Sequence, residues 1–322
     1  MTAHLLTFCN KKFRLANQLL RQSAYNLGLQ NQFRFTEDQF RQTQFYHSHK
    51  DITTETFGAG FYLWKPYYIL QVLQQLPEND LLLYIDSGQI LVADPTPLFD
   101  LAAAQPVVLF ENYQGYHFFS QSNLTFTEEH CYRTINHIRY WCKADCLKLM
   151  NAYENEAVLN SMMVDASVLL FRKCDASIAF VEEWLYHCTD RRSISWDENQ
   201  LNIPNHPGFI MHIYDQSVLS ILAAQQNLRL YRCPSQYGNH LKPKKYREQH
   251  EYIILPYSNA THTDDYETIT YHHRFKHKKF WLRWKAFLYW ELTFWDSVLF
   301  SNRKKSPLRR LLKTPIHKQL GG

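Results

Sequence analysis

Glycine is scarce in this chain, with nine among 322 residues, and none falls in a Gly-x-Gly-x-x-Gly or Gly-x-x-x-x-Gly-Lys arrangement. Those motifs bring backbone amides against phosphates and need glycine at fixed positions, so their absence argues against a nicotinamide enzyme or a P-loop ATPase. No Gly-x-Ser-x-Gly elbow occurs, which leaves an α/β-hydrolase unsupported. The seven cysteines make an odd count without a Cys-x-x-Cys pair. His137, Cys142 and Cys146 lie near one another but lack a fourth ligand at zinc-site spacing, so the cysteines read as buried thiols of a reducing cytoplasm. The apolar run near Met1 is too short for a signal peptide or a membrane span, and the sequons at Asn123 and Asn259 are therefore read as incidental. Internal repeats and low-complexity linkers are absent.

What is present is aromatic and apolar. Hydrophobic residues make up 45% of the chain and aromatic residues 16%, enough for a substantial core in one large domain or two small ones. Many flat apolar surfaces suit stacking of sugars or bases, or a membrane interface. The net charge of +5 is unevenly spread. From His272 to Gly322 there are 13 Lys and Arg against Glu291 and Asp296, while Met1 to Tyr271 carries 22 basic and 28 acidic side chains, a net of −6. A basic tail on a mildly acidic body points to an anionic surface as the tail's partner.

Periodicity predicts alternating strands and helices. A buried strand is expected over His4 to Cys9, then a helix from about Lys11 to Leu27 closed by Gly28 as a left-handed cap. A short strand at Phe33 to Phe35 is followed by a helix opening at Thr36-Glu-Asp and a polar loop from His47 to Thr56. Gly58-Ala-Gly-Phe-Tyr-Leu-Trp-Lys-Pro leads into a helix reaching about Leu76. Strands are expected at Leu81 to Ile85, Val107 to Phe110 and Ala166 to Phe171, with helices at Ala176 to Cys188 and from Asp215. Asp190 to Pro207 loses the pattern and reads as a surface insertion or lid loop. This alternation implies an α/β fold with a mostly parallel central sheet flanked by helices.

Leu81-Leu-Leu-Tyr-Ile-Asp86-Ser87-Gly88 is an apolar strand that breaks off at a carboxylate, a hydroxyl and a glycine. Ligands of open α/β sheets bind at the carboxyl edge of the strands, where such a tip lies. The same residues also admit a plain turn, with Asp86 capping an amide and Gly88 at positive φ. Asp165, Asp215-Gln216 and His272-His273 likewise stand at expected strand or helix ends. Each has a structural alternative: a strand start for Asp165, a helix cap for Asp215, a solvated basic patch around His273. Lys65 is a candidate phosphate contact or part of a packing turn at a helix start.

Taken in order, these elements resemble the GT-A glycosyltransferases, in particular the branch of glycogenin and the bacterial lipooligosaccharide galactosyltransferases. Gly60-Phe-Tyr-Leu-Trp-Lys-Pro, Tyr84-Ile-Asp-Ser-Gly and His212-Ile-Tyr-Asp-Gln-Ser-Val-Leu-Ser also look like a group of bacterial glycosyltransferase-like proteins. The resemblance covers roughly residues 3 to 281. It implies a GT-A-type, Rossmann-like catalytic domain over 1–279 and a basic, aromatic C-terminal tail over 280–322. The implied activity is transfer of a sugar from a nucleotide-sugar donor to a saccharide or lipid-linked acceptor, in surface polysaccharide or glycolipid synthesis.

By the same resemblance, Asp86 occupies the Asp-x-Asp position, whose carboxylates hold Mn²⁺ or Mg²⁺ against the diphosphate. The second aspartate is missing, since Ser87-Gly88 stand where Asp-x-Asp would continue, so either the metal has fewer protein ligands or Asp86 binds ribose or sugar without one. Asp165-Ala-Ser-Val-Leu-Leu is similar to the family's Asn-Ala-Gly-Val-Leu strand, whose first residue bonds donor-sugar hydroxyls. Asp215 and Gln216 match the pair beside the anomeric carbon. His273 and Lys279 match the histidine that completes the metal shell and the lysine that neutralises the leaving diphosphate, although Lys276 and Phe280 replace the family's Gly and Pro. A non-catalytic carbohydrate- or nucleotide-binding protein with a degenerate site is the alternative in a different class.

Trp281, Trp284, Leu288, Leu292, Trp295 and Leu299 recur at helical spacing, and basic residues follow. An amphipathic tail helix at an anionic membrane surface is expected, placing the protein in the cytoplasm and peripheral to the inner face of the membrane. The bulky apolar stripe argues against nucleic acid as partner.

Overall fold

The computed structural model describes residues 1–112, 136–235 and 266–273. Its centre is a six-stranded sheet of β1 (Ala3–Cys9), β2 (Asn31–Thr36), β3 (Leu81–Ile85), β5 (Val107–Phe110), β6 (Val168–Arg172) and β7 (Leu230–Tyr231), ordered β2-β1-β3-β6-β5-β7. A two-stranded ladder joins β4 (Gln89–Leu91) to β8 (Thr270–His272). β1 pairs in parallel with both β2 and β3, and β5 with β7, while β6 runs antiparallel to β3 and β5. The sheet is therefore mixed, mostly parallel, with one reversed strand near its middle.

Five helices supply most of the cover: α1 (Arg14–Asn26), α2 (Trp64–Gln75), α3 (Thr96–Ala104), α4 (Asp175–Cys188) and α5 (Tyr214–Gln225). Strand residues alternate between two cores. Leu82 and Tyr84 of β3, with Leu169 and Phe171 of β6, face the core that holds α2, α4 and α5. Leu81, Leu83 and Ile85, with Val168 and Leu170, face the core that holds α1 and α3. A sheet buried on both faces needs apolar residues at every position, which is why β3 reads as an unbroken apolar run.

Most of the expected elements appear within a few residues of their sequence bounds. The Gly28 cap is found, with φ of 91°, and Thr36 closes a capping box with Gln39. Three expectations are corrected. His47 to Thr56 is not a plain loop: it carries the ends of two helical turns, Gln44–Ser48 and Lys50–Thr53. Asp190 to Pro207 also includes a helical turn, Arg191–Ile194. Gly88 does not take a positive φ among the described glycines; its carbonyl instead accepts the His273 amide at 2.9 Å.

The stretch before α2 is conformationally unusual. Gly58, Ala59, Gly60, Phe61 and Tyr62 all have positive φ, from 51° to 90°, a left-handed turn that disfavours residues with a Cβ. Gly60 is needed there, since a Cβ would lie 2.8 Å from the Thr53 Cα. The turn reverses the chain tightly enough to start α2 with Trp64, Lys65 and Pro66 all buried.

Among the described residues no helix is long and apolar enough to cross a membrane. The expected tail helix, its domain boundary at 279/280 and Lys279 lie outside the described residues.

Candidate functional site

β1 leads to β2 on one side and β3 lies on its other side, so the strand order reverses between β1 and β3. The crevice outside the carboxyl ends of strands at such a reversal is the usual ligand position in open α/β sheets. Asp86 and Ser87 directly follow β3 at this edge. Because β6 is antiparallel, the residues that precede it, Asp165 to Ser167, lie at the same edge; Ile85 is paired with Val168, and the Asp86 amide donates to the Ser167 carbonyl at 2.9 Å. The reversed strand thus brings a second loop beside the first.

Lys65 links these parts. Its ammonium lies 2.9 Å from Asp215 Oδ2 in α5, donates to the Ala166 carbonyl at 3.0 Å and sits between 5.3 and 5.9 Å from the ring centroids of Tyr62, Trp64 and Tyr84. Burial works against the ammonium's charge, but Asp215 and then Asp86 outweigh it, and its pKa stands above the ordinary value. Burial pushes the Asp215 carboxyl up to about 6 against the pull of Lys65, with Asp86 adding to the rise. The Tyr84 hydroxyl donates to Asp86 Oδ1; burial and then the Asp86 charge raise its pKa well above the usual phenol range. One carboxylate, Asp215, thus pairs directly with the buried cation, Asp86 lies within its electrostatic reach, and Tyr84 ties Asp86 to the strand beneath it.

α5 holds Asp215 rigidly. Trp184 Nε1 donates to the Asp215 carbonyl at 3.0 Å, and the Ser217 hydroxyl accepts the Ile213 amide at 2.8 Å while donating to the Trp141 carbonyl. Tyr214 enters the helix at φ of 49°. A left-handed aromatic residue directly before a buried carboxylate is the kind of local strain that the surrounding packing has to hold. The Gln216 side chain is half-buried, one residue past the carboxylate.

The other sequence candidates fall into place around this centre. Ser87 is buried and turned inward: its hydroxyl donates to the Phe8 carbonyl and accepts from Asn17 Nδ2 at 3.0 Å, so it joins β1, β3 and α1. Asp165 is buried, with Oδ1 accepting the Ser167 amide at 3.0 Å and Oδ2 accepting the Cys233 thiol at 3.3 Å. Gly88 receives the His273 amide, and His273 Nε2 stands 3.2 Å from the Gln89 carbonyl; burial takes its pKa down to about 4. Lys65 has protein acceptors around its ammonium, which makes it a partner of Asp215 rather than an open phosphate contact. Sequence reasoning missed Tyr84, whose hydroxyl is hidden inside an apolar run, and the β4–β8 ladder that brings His273 to Gly88.

A divalent cation requires several oxygen or imidazole donors converging on one point. Among the described residues no group of three or more His, Cys, Asp or Glu stands together in this way. Asp86 Oδ1 is taken by Tyr84, and His273 Nε2 faces a carbonyl. The described donor set falls short of a protein-built Mn²⁺ or Mg²⁺ site. The described cysteines are unpaired; burial pushes the Cys142 thiol up to about 12, which removes it as a nucleophile at neutral pH.

No family model matches the chain, and no curated protein matches it in sequence. Among solved structures it is similar to the bifunctional glycosyltransferase WbbM in its apo form, with a TM-score of 0.36 and 13% identity, over 69% of this chain and 37% of that one. It is similar also to apo mouse xyloside xylosyltransferase 1, with a TM-score of 0.41 and 7% identity, over 84% of this chain and 97% of that one. This chain thus spans little more than a third of WbbM.

Proposed function

We propose that this protein transfers a sugar from a nucleotide-sugar donor to a hydroxyl of a saccharide or lipid-linked acceptor. The observation that carries the reading is the buried Lys65–Asp215 pair, with Lys65 also bonded to the Ala166 carbonyl beside the Asp86 strand end at the strand-order reversal. Glycosyl transfer needs an acceptor oxygen to attack C1 as the bond from C1 to the diphosphate oxygen breaks, with that electron pair leaving on the nucleoside diphosphate. Positive charge builds on the sugar ring. A fixed carboxylate in a water-poor site stabilises that charge without reorganising during the reaction. Asp215, held by Lys65 and Trp184, takes this role, and the neighbouring Gln216 amide orients the sugar. Asp86, at the mouth of the crevice, binds donor hydroxyls on the ribose or sugar.

Lys65 keeps Asp215 ionised and aligned, a positioning role. The leaving diphosphate is assigned to Lys279 and the basic residues around it. Mn²⁺ or Mg²⁺ belongs to the reading only as an ion carried in by the diphosphate. The tail's attachment to the inner face of an anionic membrane remains part of the same proposal and is tested by liposome flotation after truncation at Lys279.

A binding role without turnover is the second reading, favoured by Gly88, which has no carboxylate where the second aspartate of Asp-x-Asp would stand. Isothermal titration with UDP and GDP tests donor binding; no affinity for any nucleoside diphosphate refutes the transferase and leaves only carbohydrate binding without turnover. Donor hydrolysis that falls at least about a hundredfold in Asp215→Asn, with nucleotide affinity retained, supports the transferase.

A further inference from the structure

Trp196 and Phe57 are large apolar side chains left in contact with solvent, 54% and 39% exposed, and they pack on each other at 4.9 Å between ring centroids. Tyr214 lies 4.8 Å from Phe57 and 5.8 Å from Trp196, so the two exposed rings rest on a buried tyrosine that directly precedes Asp215. The patch is built, not loose. Buried Phe61 stacks under Tyr214 with planes 8° apart, and Arg191 reaches over Phe61 to bond Glu55 at 2.8 Å and Asp197 at 2.7 Å. Ser195, on one side of Trp196, is fully buried; on the other, the Asp197 carbonyl accepts from Lys143 Nζ at 3.0 Å. The rings are held in water by a rigid frame on both sides.

We propose that Trp196 and Phe57, backed by Tyr214, are the stacking platform for a neutral saccharide ring of the acceptor. This rests on the transferase reading. A pyranose presents a flat face of C–H groups with hydroxyls at its rim, which an aromatic surface bordered by hydrogen-bonding groups complements. The border here is polar and internally paired: Arg191 bonds both Glu55 and Asp197, so no isolated charge at the rim selects a charged ligand. The patch matches one or two sugar rings in width, too little for a stable protein interface. Its position beside Asp215 and Gln216 brings a stacked ring's hydroxyl toward the donor's C1. The left-handed turn at 58–62 serves this surface, because it carries Phe61 beneath Tyr214 while Phe57 stays at the rim.

The test uses the full chain and ligand-observed NMR with maltose, cellobiose and lactose as probes. At least one disaccharide binds the wild type, Trp196→Ala and Phe57→Ala each weaken it by about tenfold or more, and Trp196→Phe restores most of the affinity. Tyr186→Ala, an exposed aromatic on α4, changes nothing. Unchanged affinity in Trp196→Ala overturns the platform, as does failure of all three sugars to bind or their displacement by octanol with equal affinity for octanol alone. UDP and GDP are titrated separately into the wild type: sugar binding without nucleotide binding sinks the transferase reading and keeps the platform, and the converse sinks the platform alone.

Discussion

Lys65 Nζ and Asp215 Oδ2 lie 2.9 Å apart with both side chains almost wholly out of solvent. Removing one partner of such a pair strands the other's charge in a low-dielectric interior, which costs several kcal/mol, whereas removing both is far milder. Lys65→Met is expected to lose about 3 kcal/mol in urea unfolding, and the double change Lys65→Met/Asp215→Leu less than the sum of the two single losses. Additive losses would show that the two charges are not coupled.

Asp215 also sets a pH dependence. Its folded pKa of about 6 lies above the ordinary 3.8, so between these values the folded protein holds a proton that the unfolded chain has released. This group's contribution to stability is fully present below the unfolded pKa and is lost as pH rises through about 6. Asp80, Asp190 and Asp197 have lowered pKa values and act in the opposite sense, losing stability as pH falls. A carboxyl-carbon NMR titration should find one inflection near 6, absent in Asp215→Asn, and donor turnover should fall below that pH if the ionised form stabilises the sugar cation. A carboxylate inflection for Asp215 at or below the ordinary value contradicts the burial argument.

Gly60→Ala tests the left-handed turn. At φ of 90°, with backbone 2.8 Å from the added methyl, the substitution is expected to cost about 2 kcal/mol and to lower the melting temperature. Gly28→Ala has open space around its methyl and meets only the φ penalty, so it should cost less. Equal effects would mean that the contact with Thr53 does not constrain the turn.

Ser87→Ala separates architecture from ligand contact. The Ser87 hydroxyl supplies hydrogen bonds to Phe8 and Asn17 in the interior, so its loss leaves buried polar groups unpaired and should destabilise the fold by about 1–3 kcal/mol. Nucleotide affinity measured well below the melting temperature should change little. A large affinity loss at unchanged stability would return Ser87 to the ligand site.

Legibility in the sequence followed locality. The β3 run, the Gly28 cap, the helix start at Thr36 and the polar breaks at Asp86, Asp165 and Asp215 are local patterns, set by burial, φ preference and hydrogen-bonding capacity within a few residues, and they are readable directly. Tyr84 was not, because its period-two neighbours are apolar and nothing in a linear run marks a hydroxyl that turns to meet Asp86. The direction of β6 was not readable either: an apolar pentapeptide has the same composition whichever way it runs.

The sequence by itself thus determined that this chain builds an α/β sheet buried on both faces, with carboxylates at strand and helix ends, because these follow from which residues tolerate burial and where a chain must turn. Only the tertiary structure decided that β6 runs backwards and brings Ala166 and Ser167 to the Asp86 edge, that Lys65 goes to Asp215 and not to solvent, and that Phe57 and Trp196 share one exposed patch backed by buried Tyr214. Each of those depends on segments far apart in the chain meeting in space, and on the balance between desolvating a charge and pairing it, which no local pattern records.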